Sequence, residues 1–195
     1  GSMYIDMYSD IENAQLIVIW GKNPAAHCPP DDFIRIEKAY KRGAQIVVID
    51  PRKTALAKYA NAQWIPIRPG TDGALALGMA HVIIQENLYD QAFNSRWTHG
   101  FDEFKAYAME FTPDVVAQIT DVPADLVTKA ARLYATVKPA AMYNGASATV
   151  HHTNGVQNHR AIVALIGLTG NFDRKGGNHV VSPSYYHVPT GLVTR

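Results

Sequence analysis

A single cysteine, Cys28, stands in 195 residues. It cannot form an internal disulfide, nor by itself hold a structural zinc or an iron–sulfur cluster, each of which needs several ligands. No run approaches the roughly 18 apolar residues needed to cross a bilayer. The most apolar segment, 74–84, is interrupted by Gly78 and His81. Tracts of like charge are missing as well. The balance of 18 Lys+Arg against 17 Asp+Glu leaves +1, so phosphate-rich nucleic acid is a poor main partner.

What is present suits an ordinary globular chain, with 47% hydrophobic and 10% aromatic residues. At this length about 70% of the unfolded surface can be buried, enough for a core without staples. Gly1-Ser2-Met3 reads as an expression scar. Residues 4–180 read as one domain and 181–195 as a polar segment. The stop at Leu192–Arg195 closes no element, so a piece of a larger polypeptide is expected.

The first third alternates strands and helices. Leu16–Trp20 and Gln45–Ile49 are continuous β-branched runs of the kind buried on both faces, and Trp64–Ile67 is a shorter third strand with an edge-favouring proline. A helix follows Pro29-Pro30-Asp31-Asp32 and ends at Gly43, and a short one is predicted over Thr54–Ala60. Thr71 or Asp72 can cap a long helix to about Asn87, apolar nearly all round and therefore central. Short helices are expected from Asp90 to Gln118, where Phe101, Phe104, Tyr107 and Phe111 form an aromatic stripe best read as core packing. A helix over Pro123–Val137, a strand over Ala140–Tyr143 and a helix over Gly155–Leu168 complete the pattern. The fold class is α/β: a Rossmann-like, doubly wound, mainly parallel sheet with helices on both faces.

Ligands of such sheets bind at the carboxyl ends of the strands. There Gly21-Lys22-Asn23-Pro24 follows strand one, with a glycine for close backbone approach and an amide able to donate and accept. Asp50-Pro51-Arg52-Lys53-Thr54 follows strand two, offering an acid for ribose hydroxyls and a guanidinium for a base or phosphate. Arg68-Pro69-Gly70-Thr71-Asp72 follows strand three. Its Gly70 and Thr71 open a helix N-terminus suited to a pyrophosphate, and Asp72 can accept from a guanine edge. Each loop also has a plain reading as a turn or a cap. No Gly-x-Gly-x-x-Gly follows strand one, which weakens a nicotinamide or flavin dinucleotide reading.

In this order the motifs Gly-x-Asn-Pro, Val48-Ile49-Asp50-Pro51-Arg52-x-Thr54 and Ile67-Arg68-Pro69-Gly70-Thr71-Asp72-x-Ala74-Leu75 resemble the molybdopterin oxidoreductases of the dimethyl sulfoxide reductase type. His152-x-Asn154-Gly155, Arg160-Ala161-Ile162, Leu168-Thr169-Gly170-Asn171 and Gly176-Gly177-Asn178 extend the resemblance to nearly the whole chain, with a flavour of the acetylene hydratase and transhydroxylase branch. The resemblance implies the Rossmann-like third domain of a large subunit that holds molybdenum or tungsten between two molybdopterin guanine dinucleotides. A 4Fe-4S cluster would belong to a missing domain, and the isolated segment would carry no cofactor or catalytic residue and be inactive alone. Gly21, Asn23, Pro24, Asp50, Pro51, Arg52, Thr54, Arg68, Gly70, Thr71 and Asp72 would cradle one dinucleotide, with His152 and Asn154 facing the metal-bearing centre or a neighbouring domain. Implied partners are the other domains of the polypeptide and an iron–sulfur electron-transfer subunit, in a prokaryotic cytoplasm or periplasm, the former slightly favoured.

Cys28 is better read as an ordinary half-buried thiol than as a metal ligand. Adjacent His151 and His152 would point to opposite faces of an extended segment and are poorly placed to share an ion. His159 and Arg160 fit a solvated or salt-bridged helix face. The residues alone leave open an autonomous nucleotide-binding module without redox role, and a nicotinamide-dependent dehydrogenase.

Overall fold

A strand with no polar face must be covered on both sides. Leu16–Trp20 meets that demand at the centre of a parallel sheet in the computed structural model, which describes residues 7–26, 30–145, 149 and 151–180. In chain order the strands are β1 Met7–Ser9, β2 Leu16–Trp20, β3 Gln45–Ile49, β4 Ala62–Ile65, β5 Ala140–Asn144 and β6 Asn178–Val180. The helices are α1 Pro30–Lys41, α2 Asp72–Gln85, α3 Gln91–Trp97, α4 Phe101–Ala108, α5 Pro113–Thr120, α6 Ala124–Thr136 and α7 Gly155–Leu168. The main sheet has the order β4-β3-β2-β5, with every pairing parallel.

Alternate residues of β2 feed two cores. Leu16, Val18 and Trp20 pack with α2, α5, α6 and α7, while Ile17 and Ile19 pack with α1 and a 3-10 turn at Leu56–Lys58. Helices therefore lie on both faces, as the alternation of elements predicts. Helix α2 is buried on almost every side. Gly78 lets it approach α5, because a Cβ there would stand 2.6 Å from Val116 Cγ2. His81 survives in this apolar setting by pairing with Gln85 Oε1 (2.9 Å) and the Ala108 carbonyl (3.3 Å).

Two boundaries differ from the sequence reading. Strand β4 lies two residues earlier than Trp64–Ile67 and ends before Pro66, whose ring nitrogen has no N–H to give a ladder; it is the edge strand, as the proline implied. The helix expected over Thr54–Ala60 is only the 3-10 turn. In the aromatic stripe, Phe101, Phe104 and Phe111 do pack on the core, whereas Tyr107 is 52% exposed and meets Phe111 edge-on.

The other edge, β5, is closed by side chains. Asn178 accepts from Met142 N and donates to Met142 O, both at 2.8 Å, and Asn171 accepts from Ala140 N at 3.1 Å. Two asparagines thus occupy edge groups that would otherwise invite a fifth strand. Asn178 opens β6, which pairs antiparallel with β1 (Met7↔Val180) in a ribbon that sequence reading did not anticipate. Asp10 locks the junction by accepting from Gly176 N at 2.8 Å.

Candidate functional site

From β2 the chain crosses to β3 on one side, and it later returns through β5 on the other. The crevice between β2 and β5 is therefore the topological switch point, where ligands of open α/β sheets bind. Its floor is tight. Gly21 (φ +58°) donates to Ile49 O and Gly145 donates to Trp20 O, both at 2.8 Å, so the ends of three strands are knitted together. A Cβ on Gly145 would overlap the Gly21 carbonyl. Beside this floor Asn23 Oδ1 is buried with no hydrogen-bond partner in the protein. Such an atom costs about 1–3 kcal/mol unless something supplies a donor. Pro24, next in the loop, is buried.

The loop after β3 is a self-contained turn. Asp50 is buried, and its Oδ1 accepts from Arg52 N at 2.8 Å across Pro51; Thr54 is buried and Arg52 reaches into solvent. Trp64 of the edge strand donates to Asp50 O at 2.9 Å.

The loop after β4 departs further from expectation. Arg68 makes a bidentate pair with Asp121 at the end of α5 (2.6 and 2.8 Å), an exposed ion pair that sequence reading did not anticipate. Thr71 occupies the N-cap of α2 yet donates its hydroxyl to Arg68 O at 2.7 Å and caps nothing with its side chain. Asp72 is 5% exposed and accepts from Trp20 Nε1 at 2.7 Å. Burial pushes its carboxyl above the ordinary carboxylate value, opposed by the Trp20 N–H, the backbone N–H groups of Asp72 and Gly70, and the nearby His152. The first turn of α2 is likewise not a row of open donors: Gly73 N is taken by Asn158 Oδ1 at 3.1 Å and Ala74 N by Thr71 O at 3.1 Å. The N–H groups that follow Gly70 and Thr71 in this turn thus already have acceptors within the protein.

Helix α7 brings the last two sequence candidates to the same place. Gly70 (φ +85°) lies beneath His152, whose Nδ1 would stand 3.3 Å from a Cβ there, and Asn154 Nδ2 donates to Asn158 Oδ1 at 3.3 Å. His151 is exposed. His159 pairs with Asn144 (3.2 Å), while Arg160 is exposed. Cys28 lies outside the described residues. Among those residues no group of three or more His, Cys, Asp or Glu could hold a metal ion.

Asn158 escaped the sequence reading, because an asparagine inside a helical pattern carries no signal until its packing partner is known. A second group was missed for the same reason. Lys22 Nζ sits 3.8 Å over the Tyr143 ring and 3.9 Å from Asp32, which also takes the Tyr143 hydroxyl and Arg35 (3.2 Å). Burial, reinforced by Asp32, raises the Tyr143 hydroxyl well above its ordinary value, so it stays a donor. A depression of about 380 Å³ lies at the opposite end of the sheet, among Asn13, Gln15, Arg42 and Gln45, away from all these residues.

A family model described as molybdopterin oxidoreductase matches residues 3–190. The chain is 40% identical to the dimethyl sulfoxide reductase DmsA of Escherichia coli, over 93% of its own length and 25% of that protein's. It is 39% identical to formate dehydrogenase H of the same organism, over 85% and 23%. Among solved structures, acetylene hydratase from Pelobacter acetylenicus superposes with a TM-score of 0.85 at 34% identity, covering 96% of this chain and 26% of that one. The chain spans about a quarter of the length of the curated relatives it matches.

Proposed function

The chain belongs to the molybdopterin oxidoreductase family, and from that premise we propose that its doubly wound body binds the guanosine and pyrophosphate part of a molybdopterin guanine dinucleotide within a larger molybdenum or tungsten enzyme. The observation that carries this reading is Asn23 Oδ1, a buried acceptor left without a donor beside the Gly21–Gly145 floor of the switch-point crevice. A ribose hydroxyl or a base N–H would satisfy it, and the lack of a Cβ on Gly145 keeps the two backbones close beneath.

The residues present fit the group. Asn23 supplies an amide acceptor, Asp50 a carboxylate one strand away, Lys22 a cation beside Tyr143 and Asp32, and Arg52 an exposed guanidinium for a phosphate or a base face. Asp72, held by the Trp20 indole, supplies a further carboxylate at the start of α2. When bound, the cofactor supplies the metal-centred redox chemistry, and the protein's part is to bind and orient it. His152 and Asn154 form the side of the site nearest α7. In this reading the chain's partners are the further domains of its polypeptide and an iron–sulfur electron-transfer subunit, and any 4Fe-4S cluster belongs to another domain.

Titration calorimetry of the 195-residue chain with GDP and ADP tests the proposal. GDP should bind more tightly, because a carboxylate accepts from the guanine N1–H and N2–H₂ together while adenine presents an acceptor at N1. An unmade buried hydrogen bond costs about 1–3 kcal/mol, so the ratio should lie between about 5 and 150. Equal binding, or a preference untouched by both Asp50→Asn and Asp72→Asn, rejects the assignment.

A further inference from the structure

Asn158 lies in the first turn of α7 with 1% of its surface exposed, and its amide reaches across to another helix. Its Nδ2 donates to Gly70 O at 3.3 Å, and its Oδ1 accepts from Gly73 N at 3.1 Å and from Asn154 Nδ2 at 3.3 Å. Gly70 and Gly73 flank Asp72 in the chain, and Asp72 is tied in turn to Trp20 at the end of β2. One side chain therefore grips the backbone on both sides of Asp72 and joins it to the loop that carries His152 and Asn154.

We infer that Asn158 is a positioning residue that caps α2 from α7 and holds the Gly70–Asp72 turn and the His152–Asn154 loop together as one ligand-facing unit. The sequence supplies the reason such a device is needed. Thr71, at the N-cap, spends its hydroxyl on Arg68 O, so α2 lacks the side-chain cap its own residues would ordinarily give. The chemistry demands an amide: only a group with donor and acceptor two atoms apart can serve a carbonyl and an N–H at once. Aspartate would set a carboxylate against Gly70 O, and alanine would leave both backbone groups bare. Gly73 is the matching half of the device, because a Cβ there would stand 2.6 Å from Asn158 Oδ1.

The ligand-binding part of this inference rests on the dinucleotide reading above, but the clamp itself can be read without ligand. The probe is the indole N–H of Trp20, resolved from those of Trp64 and Trp97 in a ¹⁵N-labelled sample of the full chain. In Asn158→Ala and Asn158→Asp, solvent exchange of the Trp20 indole should quicken about tenfold and GDP affinity should fall about tenfold, the size of one net hydrogen bond. Gly73→Ala should give the same signature by expelling the amide, and adding Asn158→Ala to it should bring no further loss. Asn94→Ala is the control. Asn94 is also buried and bonds Asp90 O and Leu168 O at the far end of α7, so its loss should lower stability and leave the Trp20 indole unmoved. An unchanged Trp20 indole in both Asn158 variants, or one moved as far by Asn94→Ala, overturns the inference. If the unaltered chain binds no GDP, the dinucleotide reading fails, and the indole alone decides whether Asn158 is the clamp.

Discussion

Trp20→Phe isolates one bond at the heart of the site. It deletes the indole N–H that meets Asp72 Oδ1 at 2.7 Å while keeping an aromatic ring in the core formed with α2. A hydrogen bond to a charged group contributes about 1.5–3 kcal/mol, so the variant should lose at least that much stability at neutral pH. For a chain of this size the loss corresponds to roughly 3–12 °C in the melting midpoint. The pH dependence is the sharper part. Burial raises the folded-state value of Asp72 above its unfolded value, so the folded chain holds the proton more tightly than the unfolded one. This contribution to stability therefore falls as pH rises through the folded value and levels off below the unfolded one. Trp20 opposes that fall by favouring the anion. Removing it should widen the window, with a stability deficit large at pH 7 that shrinks as the medium is acidified towards pH 4. Urea unfolding of both proteins at several pH values, followed by far-ultraviolet circular dichroism so that the missing indole does not alter the signal, measures this directly. A deficit under about 0.5 kcal/mol, or one constant across the range, would refute the role given to the Trp20–Asp72 bond.

Asn23→Ala should separate binding from folding: removing a buried acceptor that has no partner leaves stability unchanged or slightly higher, while GDP affinity measured by calorimetry drops. A clear loss of stability instead would mean that Asn23 already has an internal partner. Gly145→Ala should cost at least about 1–3 kcal/mol in urea unfolding, because the new methyl meets the Gly21 backbone, which has no flexible side chain to yield. A variant as stable as the parent would show that β2 and β5 can separate at their carboxyl ends.

Much of the architecture was legible because it depends on local signals. The continuous runs at Leu16–Trp20 and Gln45–Ile49 have no polar face, so only a doubly covered sheet could hold them, and helix α7 was bracketed by Asn154-Gly155 and Gly170. The placing of three of the singled-out loops at the carboxyl ends of the strands was legible for the same topological reason. What was not legible lies in contacts between distant segments. The β1–β6 ribbon joins two three-residue strands from opposite ends of the domain, each too short to show a period. The pairing of Arg68 with Asp121 at the end of α5, and of Asp72 with Trp20 at the end of β2, joins segments about fifty residues apart. The Asn171 and Asn178 motifs, which carried the resemblance, turn out to close a sheet edge.

The β1–β6 ribbon has a topological consequence. Met7 faces Val180 across a single antiparallel pairing, so the two boundaries of the described body lie about 5 Å apart. A host chain interrupted by this body would find its severed ends side by side. By the same geometry a few glycines could join residue 180 back to residue 7, and new termini could be opened in an exposed connection such as the one at Thr98 and His99 without altering the order of the sheet.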